Sequence, residues 1–273
     1  MDAHLAHLAQ AGYSPQTIYG RRRALARFLA CGGCVERFRG GLPASLYSAH
    51  DELSHVRSFL TWAGREGEAE AIRLPRLPEP VPLTPPSRDD VRRFLAALVP
   101  RSPAGLRDRA IVELIYSSAL RACEVRRLKL ADVDLAKGVV RVRGKGGRER
   151  IAPLGAAASG WLSRYLASAR PLLRPRTDSF FASGFGRPLD YTSVVTIFDR
   201  RRGRVTTSVK ITAHALRRAA AAHCQAAGMN VRELQEFLGH ADLKSIDRYT
   251  GVRLEELRAV LERCHPRCAM RLE

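Results

Sequence analysis

The sequence predicts a mainly α-helical protein in two domains, with one small β-hairpin in the second. Apolar residues recur at helical spacing along most of the chain, and apolar–polar alternation occurs in one short stretch only. A run of prolines separates an N-terminal helical part from everything that follows.

In the N-terminal part, SPQTIYGRRRALARFLA (residues 14–30) has Ser14 placed to cap a helix whose first position is Pro15, where the missing N–H costs nothing. Ile18, Leu25, Phe28 and Leu29 then share a face. A second helix is expected in SAHDELSHVRSFLTWAGRE (48–66), with Leu53, Val56, Phe59 and Leu60 turned inward. No strand pattern precedes residue 75. The stretch LPRLPEPVPLTPP (74–86) holds six prolines, which excludes a helix and favours an extended, semi-rigid connector. The expected organisation is therefore a helical domain over 1–74, a linker over 75–86 and a second domain over 87–273.

SRDDVRRFLAAL (87–98) opens the second domain with a Ser or Asp cap, and residues 105–135 supply two more helices broken near Ser117 and Ser118. The hairpin is GVVRVRGKGGRERIAPL (138–154). There Val140 and Val142 alternate with Arg141 and Arg143 before a Gly-Lys-Gly-Gly turn, and Arg150, Ile151 and Pro153 return. Helices resume at 155–173, at 211–228 ending on Gly228, and at NVRELQEFLG (230–239), where Asn230 and Glu233 suit a capping box and Gly239 a C-cap. DLKSIDRYTG (242–251) reads as a short helix stopped by Gly251. LEELRAVLERC (254–264) reads as a last helix whose stripe, Leu254, Leu257, Val260 and Leu261, needs a partner surface.

Charge narrows the function classes. The 46 Lys and Arg residues outnumber the 27 Asp and Glu for a net charge of +19, which suits a polyanionic partner, nucleic acid above all. A GC-rich genome also yields an arginine- and alanine-rich protein. It does not explain the segregation, with 9 basic and 7 acidic residues in 1–75 against 37 and 20 in 76–273. No apolar run of about 18 residues is present, so no membrane-spanning helix is expected. The N-terminus lacks a secretory signal's basic start and apolar core, and a cytoplasmic protein is expected. Six cysteines, including CGGC (31–34) and CHPRC (264–268), are sparse for this length and are expected as reduced thiols, not as zinc ligands.

Taken one at a time, the polar candidates of the second domain have ordinary explanations. Tyr249 lies three residues after Ile246, the spacing of a packed helix face. His240 follows Gly239 and suits the end of a helix. His214 and Arg217 form an i, i+3 pair, and Arg121 is one of 41 arginines. Lys145 stands out: with only five lysines in the chain, a lysine in a glycine-flanked turn suggests a group that gives up its proton, which arginine does not.

Taken together, YSSALRACEVRRLKLADVDL (116–135), VRGKGGRERIAPLG (142–155) and the stretch from ITAHALRRAAAAHCQ through LGHADLKSIDRYTGV (211–252) resemble the catalytic domain of the tyrosine recombinase/integrase family. The likeness is greatest to Xer-like recombinases and to phage or mobile-element integrases. It covers essentially the whole chain and implies a two-domain DNA clamp: a helical, SAM-like core-binding domain followed by the catalytic domain. On this resemblance Arg121 matches the first catalytic arginine, Lys145 the hairpin lysine, His214 and Arg217 the His-x-x-Arg motif, His240 the Leu-Gly-His histidine and Tyr249 the nucleophile. Glu124 matches a supporting acid, and His223 a structural helix histidine. The sequence departs from the family at Ala119, where Gly is usual, at Arg218, where a second His is usual, and at Ala219–Ala222, where bulkier residues are usual.

The resemblance implies site-specific recombination of double-stranded DNA through a 3'-phosphotyrosyl intermediate, with no metal and no cofactor. One ester replaces another, so no energy source is required. It also implies protomers assembling as a tetramer on DNA, alone or with a second recombinase, through a C-terminal helix that docks on a neighbour. Three other readings stay open: a mobile-element integrase, a DNA-binding accessory protein without cutting activity, and a relaxing enzyme of the type IB topoisomerase kind.

Overall fold

A computed structural model describes residues 1–13, 15–78, 83–144, 149–200, 205–239 and 251–268, with backbone only at 15–16 and 251–256. Ser14, the helix expected at 242–251, and the candidates Lys145, His240 and Tyr249 lie outside the described residues. The chain divides into two compact units, Met1–Pro82 and Leu83–Glu273.

The first unit is helical among its described residues. α1 (Asp2–Gln10), α2 (Pro15–Ala30), α3 (Val35–Gly40), α4 (Leu46–Trp62) and α5 (Glu66–Ala71) enclose one core. Leu25 and Phe28 of α2 meet Leu53, Val56, Phe59 and Leu60 of α4, and the Phe38 ring stands edge-on to Phe28 at 5.7 Å. Leu29, expected on the inner face, is 44% exposed. At about 100° per residue it lies one step beyond Phe28, and the described residues cover it only in part there. Three of these helices, α1, α3 and α5, are additions to the sequence reading. CGGC forms the turn between α2 and α3, with Gly32 and Gly33 at φ +73° and +65°, a conformation that excludes most side chains. The pair therefore serves the turn.

The second unit opens with α6 (Arg88–Ala96). Ser87 is the cap, one of the two residue types expected, and it forms a capping box with Asp90, whose fully buried carboxylate also accepts bonds from the Ser208 N–H and hydroxyl. Burial alone would raise the Asp90 pKa, but the bonds from Ser208 and Ser87 outweigh it and hold this carboxyl well below the usual range. α7 (Pro103–Ser117) is capped by Ser102 with Pro103 inside the first turn, and buries Asp108 and every residue from Ala110 to Ser117. A helix apolar on nearly all sides belongs at the centre of a unit, and here α6, α8 (Ala122–Arg127), α9 (Ala156–Arg164) and α11 (Ala213–Ala226) surround it.

The expected hairpin is part of a three-stranded antiparallel sheet in the order β1 (Val133–Asp134), β2 (Val139–Arg143), β3 (Glu149–Pro153). The sequence reading missed β1 because two residues are too short for alternation to register. Val140 and Val142 face inward, opposite Ala152 and Arg150. α9 runs on through a π-helical turn at Tyr165–Ala169. α10 (Tyr191–Asp199) stacks Phe198 on Phe94 of α6, with ring planes 3° apart. α12 (Val231–Leu238) has its capping box at Asn230 and Glu233 and ends on Gly239 at φ +64°, as expected.

α13 (Gly251–Cys264) departs from expectation at its start. Gly251 was expected to stop a helix and is itself helical. Of the expected stripe, Leu257, Val260 and Leu261 pack into the core of their own unit, with α13 set against β3 and α11, while the Leu254 side chain lies outside the described residues. That apolar area is already out of water in the single chain. Beyond α13, the buried His265 ring sits within 3.1 Å of the Tyr116 carbonyl through Nε2, and Arg267 donates to the buried Glu113 at 2.8 and 3.0 Å.

Ala119 joins α7 to α8 in the left-handed region, at φ +47°, and is fully buried. A Cβ there costs about 1–2 kcal/mol, and glycine removes the cost while adding unfolded-state entropy. Ala119→Gly is expected to raise stability by about 0.5–1 kcal/mol, read as a higher urea midpoint at unchanged slope. A lower midpoint would show that the Ala119 methyl contributes more by packing than it costs in strain.

Candidate active site

The site forms where the buried α7 stops. Two serines end that helix and tie it to the far end of β3: the Ser117 hydroxyl accepts the Gly155 N–H at 2.9 Å, and the Ser118 hydroxyl donates to the Pro153 carbonyl at 2.7 Å. Ala119 then turns the backbone, and its carbonyl accepts from Arg217 Nη1 on α11. Two residues later Arg121 occupies the N-cap of α8, with its side chain 42% exposed.

Glu124, in the first turn of α8 and nearly sealed from solvent, is the hub. Its Oε1 accepts from Arg121 Nη1 at 2.9 Å and Arg150 Nη1 at 2.9 Å, and its Oε2 from the Arg121 N–H at 2.8 Å and Arg150 Nη2 at 3.0 Å. Burial pushes its pKa up, and the hydrogen bond and charge of Arg150 with the hydrogen bonds from Arg121 more than reverse this, so its pKa lies below the ordinary value. Arg217 is buried and also donates to the Leu238 carbonyl at the end of α12. Burial first, and then the Arg121 charge, lower its pKa to about 10, which leaves it cationic at neutral pH.

His214 lies one turn before Arg217 on α11, exposed at its start. Desolvation, followed by the charges of Arg218, Arg217 and Arg121, lowers its pKa. It is therefore held neutral near physiological pH and able to accept a proton. Arg218, one of the departures, thus acts on the histidine's charge. The small residues Ala219 and Ala220 are fully buried and let α11 lie along α7. His223 is structural, its Nδ1 2.8 Å from the Tyr116 hydroxyl.

The structure thus brings Arg121, Glu124, His214 and Arg217 together. Lys145 falls in the connection between β2 and β3, His240 directly follows Gly239, and Tyr249 stands two residues before α13, all outside the described residues. The sequence reading missed Arg150. The signal for it was present: in a register where Val142 faces the core, its partner Arg150 faces the core too, and a buried arginine requires a carboxylate.

Two guanidiniums, those of Arg121 and Arg150, bond one carboxylate with the Arg217 charge close by, so the described part of the cluster is net positive and open on the Arg121 and His214 side. Such a centre binds an oxyanion and, through a neutral imidazole, takes up a proton. Among the described residues no group of three or more His, Cys, Asp or Glu could hold a metal ion, and no helix is long and apolar enough to cross a membrane. All six cysteines are free.

The model of the phage integrase family matches residues 87–256. The chain is 35% identical over 295 residues to tyrosine recombinase XerC 2 of Ralstonia nicotianae, covering 97% of this chain and 85% of that protein. It is 37% identical over 223 residues to tyrosine recombinase XerD of Pseudomonas aeruginosa, covering 79% and 74%. Among solved structures, the integrase of mycobacterium phage Brujita aligns at a TM-score of 0.55 with 23% identity, covering 97% of this chain and 92% of that one. A lambda integrase dimer bound to a COC' core site aligns at 0.62 with 18% identity, covering 94% and 93%. At these identities the structures speak to the fold.

Proposed function

The chain belongs to the phage integrase family and is a tyrosine-type site-specific DNA recombinase, and from that premise we propose that it works through Tyr249 on double-stranded DNA. The observation that carries the reading is the clustering of Arg121, Arg217 and His214 around the buried Glu124. Arg121 and Arg217 would grip the two non-bridging oxygens of the scissile phosphate and stabilise the charge that grows there in the transition state. The Tyr249 oxygen attacks phosphorus, and the bond to the 5'-oxygen breaks. The product is a 3'-phosphotyrosyl linkage. A phenol is largely protonated at neutral pH, so its proton must leave during attack, and the neutral His214 is the group to take it. Lys145 would protonate the departing 5'-oxygen, and His240 would add a bond to the phosphate. Attack by a 5'-hydroxyl from another duplex reverses the steps and joins new partners, with no metal or cofactor required.

The Xer-like reading is favoured over a mobile-element integrase by the XerC and XerD relatives and by the coverage of most of their length. Four protomers on two duplexes would complete an exchange. A lambda integrase tetramer bound to a Holliday junction shares the fold at a TM-score of 0.59.

The test is to incubate the protein with fragments of its own cell's DNA, denature rapidly and sequence the DNA ends left on the protein. Adducts at 3' ends of one recurring sequence, formed equally in excess chelator, are expected; no adduct on any fragment would remove the reading. On the site so found, Lys145→Ala is expected to slow cleavage by about 10²–10⁴-fold. A bridging 5'-sulfur, which leaves without a proton, should restore the rate, and no recovery would contradict the acid role.

A further inference from the structure

We propose that Arg150 is a positioning residue for strand cleavage: its fork holds the Glu124 carboxylate in the one orientation that presents Arg121 to the scissile phosphate. This rests on the reading of Arg121 as a phosphate ligand. Neither the sequence motifs nor the family match assigns a role to Arg150.

The strand register forces the contact. β2 and β3 pair Val140 with Ala152 and Val142 with Arg150, so Arg150 is the one charged side chain among four on the core face. It is 9% exposed and donates to both Glu124 oxygens, at 2.9 and 3.0 Å. A buried ion pair contributes little net stability compared with an apolar pair of the same volume, so stability alone does not account for an arginine where its neighbours are valine and alanine. Orientation does. Glu124 is bound by Arg121 from its own helix and by Arg150 from the sheet, and only the second contact ties the carboxylate to a different element. Among the described residues, Arg217 on α11 also feels the charges of Glu124 and Arg150, Cys123 on α8 lies close to Arg217, and His214 and Arg218 on α11 face Arg121 and Arg217.

A second contact extends the role. A Cβ at Gly239 would lie 2.6 Å from Arg150 Nε, so the backbone leading to His240 rests directly on the guanidinium. The left-handed φ of Gly239 and this close approach both exclude a side chain there. One arginine thus braces the carboxylate that orients Arg121 and the chain that enters the stretch bearing Tyr249.

The test compares Arg150→Met, Glu124→Gln and the double variant in single-turnover cleavage at saturating DNA, on the sequence found from the trapped adducts. Arg150→Met is expected to slow cleavage by about 10–100-fold with DNA affinity nearly unchanged, because it acts through another group. In the Glu124→Gln background the same change should slow cleavage no further; multiplying losses would overturn the proposal. Arg150→Lys keeps the charge without the fork, covers the case that methionine prevents folding, and should also be slow. Independently of cleavage, carbon-13 NMR of the Glu124 carboxyl should show its pKa raised in Arg150→Met, since burial then goes partly uncompensated. The variant's cleavage rate should accordingly fall as pH drops through that raised value, beyond the fall that protonation of His214 gives the wild type. An unshifted Glu124 would overturn the positioning role even if the wild type cleaved normally. A wild type that cleaves no DNA would count against the recombinase chemistry and leave the NMR result to decide the contact.

Discussion

Tyr249→Phe is expected to form no covalent adduct on a nicked duplex that the wild type traps, while its DNA affinity stays within about threefold, because affinity here is dominated by phosphate contacts. The substitution removes one oxygen and keeps the ring, so packing is conserved and the chemical consequence is isolated. Arg121, Arg217 and His214 remain, and the phosphate still has its ligands. On the proposed mechanism, what is lost is the atom that bonds to phosphorus, and water cannot substitute to give a protein-linked product. The other tyrosines of the second unit are poor replacements. Tyr116 and Tyr165 are buried, and burial raises both phenol pKa values. Tyr191, half-exposed at the start of α10, is the one remaining. A persistent adduct in Tyr249→Phe would be mapped there first and would remove Tyr249 as the nucleophile.

Glu113→Leu is expected to destabilise the protein by about 3–5 kcal/mol, the cost of leaving buried cations without their counterion. Glu113 is fully buried on α7 and accepts from Arg109 at 2.7 and 3.0 Å on one side and from Arg267 at 2.8 and 3.0 Å on the other. Arg109 also lies over the Trp161 ring, 4.7 Å from its centre. Removing the acid strands two guanidiniums in a site with little water. If this account holds, adding Arg109→Met and Arg267→Met to Glu113→Leu should recover most of the loss in urea unfolding. A Glu113→Leu variant as stable as wild type would show that the arginines reach solvent without it.

Much of this architecture is legible from residue spacing. Ser87 with Asp90 and Asn230 with Glu233 announce their helices, because a cap is a local bond whose partners lie three residues apart. The alternation around Val140 and Val142 announces the hairpin. Some elements escape: α3, α5 and β1 owe their existence to tertiary packing, with too few residues to display a period, and α1 and α10, nine residues each, are also absent from the sequence reading. In the site, Arg121, His214 and Arg217 are recognisable by order along the chain, but singly each is an ordinary residue. Arg150 hides for the opposite reason. Its importance depends on which face of a strand it takes and on a carboxylate 26 positions away. The fate of the α13 stripe is invisible for a related cause: amphipathicity says that a face will be covered and is silent on whose surface covers it.

The burial of α7 bears on how this protein can be re-engineered. Its buried run from Ala110 to Ser117 leads straight into the turn that sets Arg121, with the Glu113 contacts to the C-terminal residues on the way. A library meant to redirect such an enzyme to new DNA sequences would waste most members placed in that helix, since they would fail to fold before they could be scored. Diversity belongs on exposed arginine-bearing faces, with α7 left unchanged as the frame.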